Sequence, residues 1–558
     1  MSRTLYIGEG SRGRGCTRRL SPIASADVRD HESAPDAIVI GAGHNGLVAA
    51  NLLADAGWHV IVCEATPNVG GAVRTAEVTA SGFRTDLFSA FYPLGIASPV
   101  LAGLNLDRHG LRWTHAPAVL AHVLPDDRCA VLHRDRHRTA ESLATFAPDD
   151  GAAWLRLVTQ WESISEPVLD ALFRPFLPVR PLQQLTRRLG VADAVRFART
   201  AVQSVRRFGE ETFRGEGGQV LLTGNAMHAD VPPDGAGSAI YGWLLSMLGQ
   251  TYGFPVPVGG AGQLTDALWS RLRAVGGVVR TEAPVDRVRV VDGRATGVRL
   301  RSGETLSAGR AVLADISAPA LYGGLVSEDH LPARLVADMR NFQWDHPTLK
   351  VNWAVSRPIP WIAEPARLAG TVHLGVDVDG LVDFAADLAT RRMPRRPFVL
   401  LGQMTTADPT RSPAGTESAW AYTHVPPGLE LDTGRLQTHV DVIEQLVERH
   451  APGFRQLIIG RSIQMPRDLE AADPSLAGGA INGGTAQLHQ QLILRPTPGL
   501  GGAATPIDRL FLASCSAHPG GGVHGAPGAN AARAALVRAG VAGRAKRALT
   551  VSLLNRIY

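Results

Sequence analysis

An apolar run closing on glycine, a helical pattern, a second apolar run closing on an acid, and further glycine-rich segments far along the chain together predict an α/β fold. The expected architecture is a Rossmann-type dinucleotide-binding domain assembled from discontinuous segments, joined to an α+β domain of mixed sheet and helices. With 558 residues and 45% hydrophobic content, the chain has ample material for a large core.

The first element is residues 37–40, AIVI, which run directly into Gly41-Ala42-Gly43-His44-Asn45-Gly46 and then a helical pattern to Ala56. Strand, tight turn and helix in this order form the opening of a βαβ unit. Gly41 permits the turn, Gly43 lets backbone N–H groups approach a pyrophosphate, and Gly46 lets the helix lie close on the strand. His44 and Asn45 start that helix, whose N-terminus faces the phosphate charge, and join the cofactor-binding set. Gly57 ends the helix, and residues 59–63 form a second buried strand that stops at Glu64. A carboxylate there accepts hydrogen bonds from ribose hydroxyls and repels a 2′-phosphate.

Two more segments carry ligand chemistry. Gly70-Gly71-Ala72-Val73-Arg74-Thr75 resembles the G-G-x-x-R-T element that follows the Rossmann acid in the amine oxidase and phytoene desaturase group of flavoproteins. In that group it contacts the flavin side of FAD, which adds Gly70, Gly71 and Arg74 to the FAD site. Near the other end, residues 509–513 read as a buried strand, and 514–530, SCSAHPGGGVHGAPGAN, precede an alanine-rich helix at 531–536. Glycines this dense suggest backbone laid against a flat ligand, with N–H groups near Gly521, Gly522 and Val523 meeting a flavin carbonyl. The following helix dipole favours negative charge on the ring.

The run H-P-G-G-G-V-x-G-A-P-G-x-N-A-A resembles the C-terminal signature of phytoene desaturase-related FAD oxidoreductases, which include carotenoid desaturases and isomerases, retinol saturase and the pyridine nucleotide-disulfide oxidoreductase domain-containing proteins. Residues 213–217, 252–260 and 349–354 match as well, so the resemblance spans about residues 36–536. Ser514-Cys515 stands where that family usually has Gly-Ala, and Ala529 where a basic residue is common. The resemblance implies FAD as cofactor, a pyrophosphate contact at Ser514, pairing of the Val285 backbone with the adenine, and a strand ending at Asp315 near the cofactor.

The expected FAD domain comprises residues 36–99, 252–319 and 501–540, and the substrate domain 100–251 and 320–500. Helices are expected at 154–173, 181–208 and 264–274; strands at 278–280, 348–355 and 398–404; and hairpin turns at Asp292-Gly293 and Ser302-Gly303. Residues 1–35 read as a disordered extension, and 541–558 as a basic amphipathic tail. No stretch approaches the eighteen or so apolar residues of a membrane span, and no apolar region follows Arg18-Arg19, so the expected location is cytoplasmic. The net charge of +5 is modest, which argues against nucleic acid as a partner. Arg187, Arg188, Arg196, Arg199, Arg206 and Arg207 lie on helical stretches with Leu185, Val191, Val195 and Val202. That pattern suits either a peripheral membrane contact or an ordinary solvated face. Homo-oligomerisation is left open.

Cys16, Cys63, Cys129 and Cys515 show no C-x-x-C spacing, which excludes a redox dithiol of that kind. Cys515 reads as a small buried side chain or, alternatively, as a thioether link to flavin. No His/Cys/Asp/Glu cluster has metal-ligand spacing. For catalysis three residues stand out. Lys350 is one of only two lysines, with Lys546; it suits holding a water near the flavin, or pairing with a carboxylate. His518 and His524 bracket the glycines as general acids or bases, or as structural histidines. Tyr92 and Tyr252 are candidates for the flavin face. The expected activity is an FAD-dependent dehydrogenase or desaturase taking hydride from an apolar, isoprenoid or polyene-like small molecule. The alternatives are an amine or natural-product oxidase, and a flavin-dependent isomerase or non-catalytic interaction protein.

Overall fold

A computed structural model describes residues 34–175, 178–428, 432–540, 543, 545, 547–548 and 557–558. The expected N-terminal extension and most of the expected basic tail lie outside the described residues.

Apolar runs without alternation belong to strands buried on both faces, and four of them, with a half-exposed edge strand, form a parallel sheet. Its order is Leu510–Leu512, Ala311–Ala314, Ala37–Ile40, Val60–Cys63, Val278–Arg280. Helices His44–Asp55, Gly262–Ala274 and Ala526–Ala539 pack against it around one apolar cluster. A three-stranded antiparallel sheet, Val285–Val291, Arg294–Leu300 and Thr305–Ser307, turns at the predicted Asp292-Gly293 and Ser302-Gly303.

The other layer is a seven-stranded mixed sheet in the order Ile458–Gln464, Thr348–Val355, Glu417–His424, Val399–Gln403, Ala369–Leu374, Ala118–Val123, Cys129–Leu132. Period-two alternation sorts its two faces. Leu349, Val351 and Trp353 join an apolar cluster with Leu401, Ala421 and Val372. The opposite face carries one cross-strand row, Lys350, Tyr422, Leu400, His373 and His122.

Helix boundaries differ from the sequence reading, the first being that of the helix expected from 154, which starts at Asp150. The stretch 181–208 is not one helix: Val179–Val202 breaks at Gly190, where φ is 74° and ψ 167°, and Val205–Thr212 restarts behind a Ser204 cap. The C-terminal helix begins at Ala526 rather than 531, because Pro527 fits a first helical turn and the glycines around it masked the start. Among the described residues no helix is long and apolar enough to cross a membrane. The helical arginines meet carboxylates: Arg188 with Glu166, Arg196 with Asp193, Arg199 with Glu211, and Arg206 and Arg207 with Glu210.

Candidate active site

In a parallel sheet, ligands bind beyond the carboxyl ends of the strands. Here four strand ends meet: Gly41 follows Ala37–Ile40, Glu64 follows Val60–Cys63, Asp315 follows Ala311–Ala314, and Ser514 lies two residues beyond Leu512. All four residues line a single cavity of about 760 Å³. Of the residues expected to bind the cofactor or act in catalysis, Gly43, His44, Asn45, Gly71, Arg74, Val285, Gly521, Gly522 and Val523 line it too, whereas Gly46, Gly70 and His518 do not.

The geometry suits a dinucleotide. Gly43 has no room for a Cβ, which would stand 2.7 Å from the Asp315 Oδ2, and a Cβ on Gly71 would stand 3.2 Å from the Gly43 Cα. Backbone therefore lies bare against the cavity at both turns. Gly70 supports the cradle from behind, donating to the Ala42 carbonyl at 2.9 Å. Gly46 sits beneath it, its N–H donating to Asp315 Oδ2 at 2.7 Å. Glu64 accepts from the backbone N–H of Ala42 at 2.8 Å and from both the N–H and the hydroxyl of Thr66 at 2.9 Å; about four lone-pair directions on a carboxylate leave capacity for one further hydroxyl donor. Arg74 donates to the carbonyls of Gly71 and Ala472, and its guanidinium lies 5.1 Å from the Phe88 ring centre. Among the described residues, His44 Nε2, Asn45 Oδ1 and Asn482 Nδ2 are buried cavity-lining atoms without protein partners, as expected where a polar ligand completes the bonding.

The cavity continues past the glycines to the mixed sheet, where Phe91, Leu94, Leu172, Leu244, Leu245, Leu248 and Phe254 meet Lys350, Trp420 and Tyr422. Lys350 is 3% exposed and, among the described residues, pairs with no carboxylate. Its Nζ donates to the carbonyls of Asp86 and Phe88 and lies 5.4 Å from the Trp420 ring centre. Burial pulls its pKa down to about 7, against the pull of the Asp86 carboxylate. An amine donating two N–H groups to two carbonyls keeps a lone pair for a third partner.

Residues 46–413 match the family described as flavin containing amine oxidoreductase. The chain belongs to this family. It is 30% identical to pyridine nucleotide-disulfide oxidoreductase domain-containing protein 2 of Rattus norvegicus, over 89% of this chain and 92% of that one. A limonene dehydrogenase polypeptide of Castellaniella defragrans is 26% identical over 89% of this chain and 94% of its own. The zeta-carotene-forming phytoene desaturase of Myxococcus xanthus is 26% identical over 87% and 90%. The fold is that of cyclohexylamine oxidase from Brevibacterium oxydans, with a TM-score of 0.54, 17% identity and coverage of 94% of this chain and 100% of that one. The resemblance drawn from the motifs thus holds, and the cofactor of this flavin oxidoreductase is FAD.

The two histidines of the C-terminal loop part company. His524 lines the cavity, its Nδ1 accepting from the Ala526 N–H at 3.1 Å and its ring 5.4 Å from Phe173; burial lowers its pKa to about 3. His518 turns away, its Nε2 lying 3.1 Å from the Arg174 carbonyl. Tyr92 lines the cavity with its hydroxyl on Ser89, whereas Tyr252 does not line it. Burial pushes the Cys515 thiol up to about 12, and its sulfur fills the space beside Gly483.

Sequence reading missed the loop at residues 481–485. Asp345 accepts from the N–H groups of Ile481, Asn482 and Gly484, while the buried Arg495 guanidinium donates to the carbonyls of Asn482, Gly483, Thr485 and Cys515. A carboxyl group and a guanidinium hold the two sides of one glycine-rich loop on the cavity wall. Asp473 was missed as well, since its position follows no motif.

Asp315 makes the dinucleotide end pH-sensitive. Burial, with Asp473 and Glu64 nearby, raises its carboxyl to about 8, only partly offset by the Gly46 N–H. A carboxyl held above its unfolded value binds its proton more tightly in the folded chain. Its stabilising contribution is therefore complete below about pH 4 and is lost as pH rises through about 8. Asp315→Asn is expected to flatten this dependence. The melting temperature of the FAD-free wild type should fall by roughly a few degrees more than that of the variant across this window; parallel curves would count against the assignment.

Proposed function

We propose that the protein is an FAD-dependent dehydrogenase or desaturase acting on an apolar, isoprenoid- or polyene-like substrate. The observation that carries this reading is the distribution of charge in the cavity. Its lining carboxylates, Glu64, Asp315 and Asp473, all stand at the dinucleotide end, and the substrate end is lined by leucines and phenylalanines together with Lys350, aromatic rings and neutral polar groups, with no carboxylate among the described residues. A cationic amine would find no counter-ion there, and burying it unpaired is costly. The named activities of the limonene dehydrogenase and the phytoene desaturase agree with this choice.

FAD, when bound, supplies the hydride acceptor. The chain's own residues position the substrate, exclude water and, at Lys350, offer a proton acceptor on the cavity wall. Val191, Val195 and Val202 are 75%, 65% and 59% exposed on one helix, which supports delivery of such a substrate from a lipid surface.

An amine oxidase is the second reading, favoured by the Trp420 and Tyr422 rings, stacked at 5.9 Å. Against it, the Trp420 ring already meets the Lys350 Nζ. Anaerobic flavin absorbance separates the two: bleaching by an isoprenoid extract is expected, and bleaching by a panel of primary and secondary amines instead would replace the first reading with the second.

A further inference from the structure

Opposite the dinucleotide, the apolar end of the cavity is closed by polar atoms that the fold leaves unspent. His228 follows helix Glu216–Met227 and lines the cavity. Its Nε2 lies 2.8 Å from Nε2 of His373, on strand Ala369–Leu374, which leaves Nδ1 as its other polar atom. One helical turn before it, Asn225 is fully buried, donates its amide to Ser246 at 2.8 Å and has an Oδ1 with no protein partner. Thr371, two residues before His373 on the same strand face, has an unpartnered buried hydroxyl. Both line the cavity. Among the described residues no group of three or more His, Cys, Asp or Glu is placed to hold a metal ion, so these atoms do not form a cation site.

Hydrogen bonding fixes one proton of the cluster, that of His122. His122 Nε2 lies 2.9 Å from the Val376 carbonyl, which can only accept, so His122 carries its proton on Nε2 and Nδ1 is bare. The Nδ1 atoms of His122 and His373 both border the space beside Gly224, 3.0 and 2.5 Å from where a Cβ would stand. Two bare nitrogens facing one site repel each other, whereas a proton on His373 Nδ1 removes that repulsion. Burial keeps all three rings neutral. His373 then accepts at Nε2 from His228, which leaves His228 Nδ1 bare. The hydrogen-bonded His228–His373 pair thus offers an acceptor at the cavity wall.

We infer that this wall is a binding subsite for a hydroxyl group, and that the substrate is an apolar alcohol rather than a pure hydrocarbon. The inference rests on the apolar-substrate reading and narrows it: His228 Nδ1 accepts from the hydroxyl, and Asn225 and Thr371 lie beside it. His228 is a binding residue here and takes no part in the chemical step.

The test uses the FAD-loaded full chain and perturbation of the flavin absorbance by geranylgeraniol and by its methyl ether, which cannot donate. Wild type is expected to bind the alcohol about tenfold more tightly than the ether, the worth of one neutral hydrogen bond in a dry site. His228→Phe should erase that preference by weakening the alcohol alone, and His228→Gln, which keeps an acceptor, should restore part of it. FAD content verifies that each variant is folded. Equal binding of alcohol and ether by wild type, or a preference that survives His228→Phe, overturns the subsite and leaves the apolar-substrate reading standing. If neither probe perturbs a fully loaded flavin, that reading fails and the subsite with it.

Discussion

Gly46→Ala is expected to yield a protein that does not retain FAD. A Cβ at this position would stand 2.2 Å from the Gly41 carbonyl oxygen and 3.1 Å from the Asp315 carboxylate. The neighbour that must yield is backbone, in the turn that forms the cradle. Helix His44–Asp55 has no slack to retreat, because Gly528 brings helix Ala526–Ala539 so near that a Cβ there would stand 2.0 Å from the Asn45 carbonyl. Overpacking a core costs about 1–3 kcal/mol when side chains can adjust; here the displaced atoms are those that meet the pyrophosphate. The purified variant should show a flavin-to-protein absorbance ratio near zero and a melting temperature that no longer rises when FAD is added, since a ligand stabilises only what it binds. Gly57→Ala is the control. Its Cβ would meet nothing within 4 Å, although φ is +80°, so it should cost about 1 kcal/mol and keep its flavin. A yellow, fully loaded Gly46→Ala protein would refute the close-packing argument.

How much of this site the sequence disclosed depends on how local each contact is. Gly41, Gly43, Gly46, Glu64, Gly70 and Gly71 are legible because one strand, one helix and one turn fix their relation, and each glycine answers a backbone need. The partners that complete the site come from far along the chain. Asp315 reaches the Gly46 N–H across 269 positions, and only the family resemblance placed it at a strand end near the cofactor. His518 and His524 look alike in a glycine-rich run, since such a run leaves side-chain direction undetermined; the structure turns one onto the Arg174 carbonyl and the other into the cavity. The split at Gly190 was open to a closer reading, because glycine inside a helical pattern weakens it. His122 and His373 gave a fainter signal, a lone histidine in each of the apolar runs AVLAHV and AGTVHL, which by itself is as well explained by a satisfied core histidine. Lys350 stood out by its rarity in an arginine-rich chain, yet nothing in the sequence places it against the carbonyls of Asp86 and Phe88.

Lys350→Met is expected to lose activity and gain acid stability at once. With its pKa brought down to about 7 by burial, the wild-type amine passes from charged to neutral near physiological pH. If the neutral form holds the water or takes the proton, flavin reduction by substrate should speed up as pH rises through about 7 and then level off. Lys350→Met should be slower by on the order of a hundredfold and show no such rise. Lys350→Arg, charged at every accessible pH and with a broader head, should behave like the methionine variant rather than the wild type. Stability runs the other way. An amine whose folded pKa lies below its unfolded value of about 10.5 destabilises the fold fully below about pH 7, and the penalty lifts as pH climbs toward 10.5. Methionine removes that penalty but leaves two carbonyls without their donor. The variant should therefore melt above wild type at pH 6 or so, the gap closing and then reversing as pH rises and only the lost hydrogen bonds remain. A Lys350→Met protein with an unchanged pH–rate profile would make the residue structural, whereas a stability gain that does not shrink with pH would contradict the buried, half-neutral amine on which its proposed role depends.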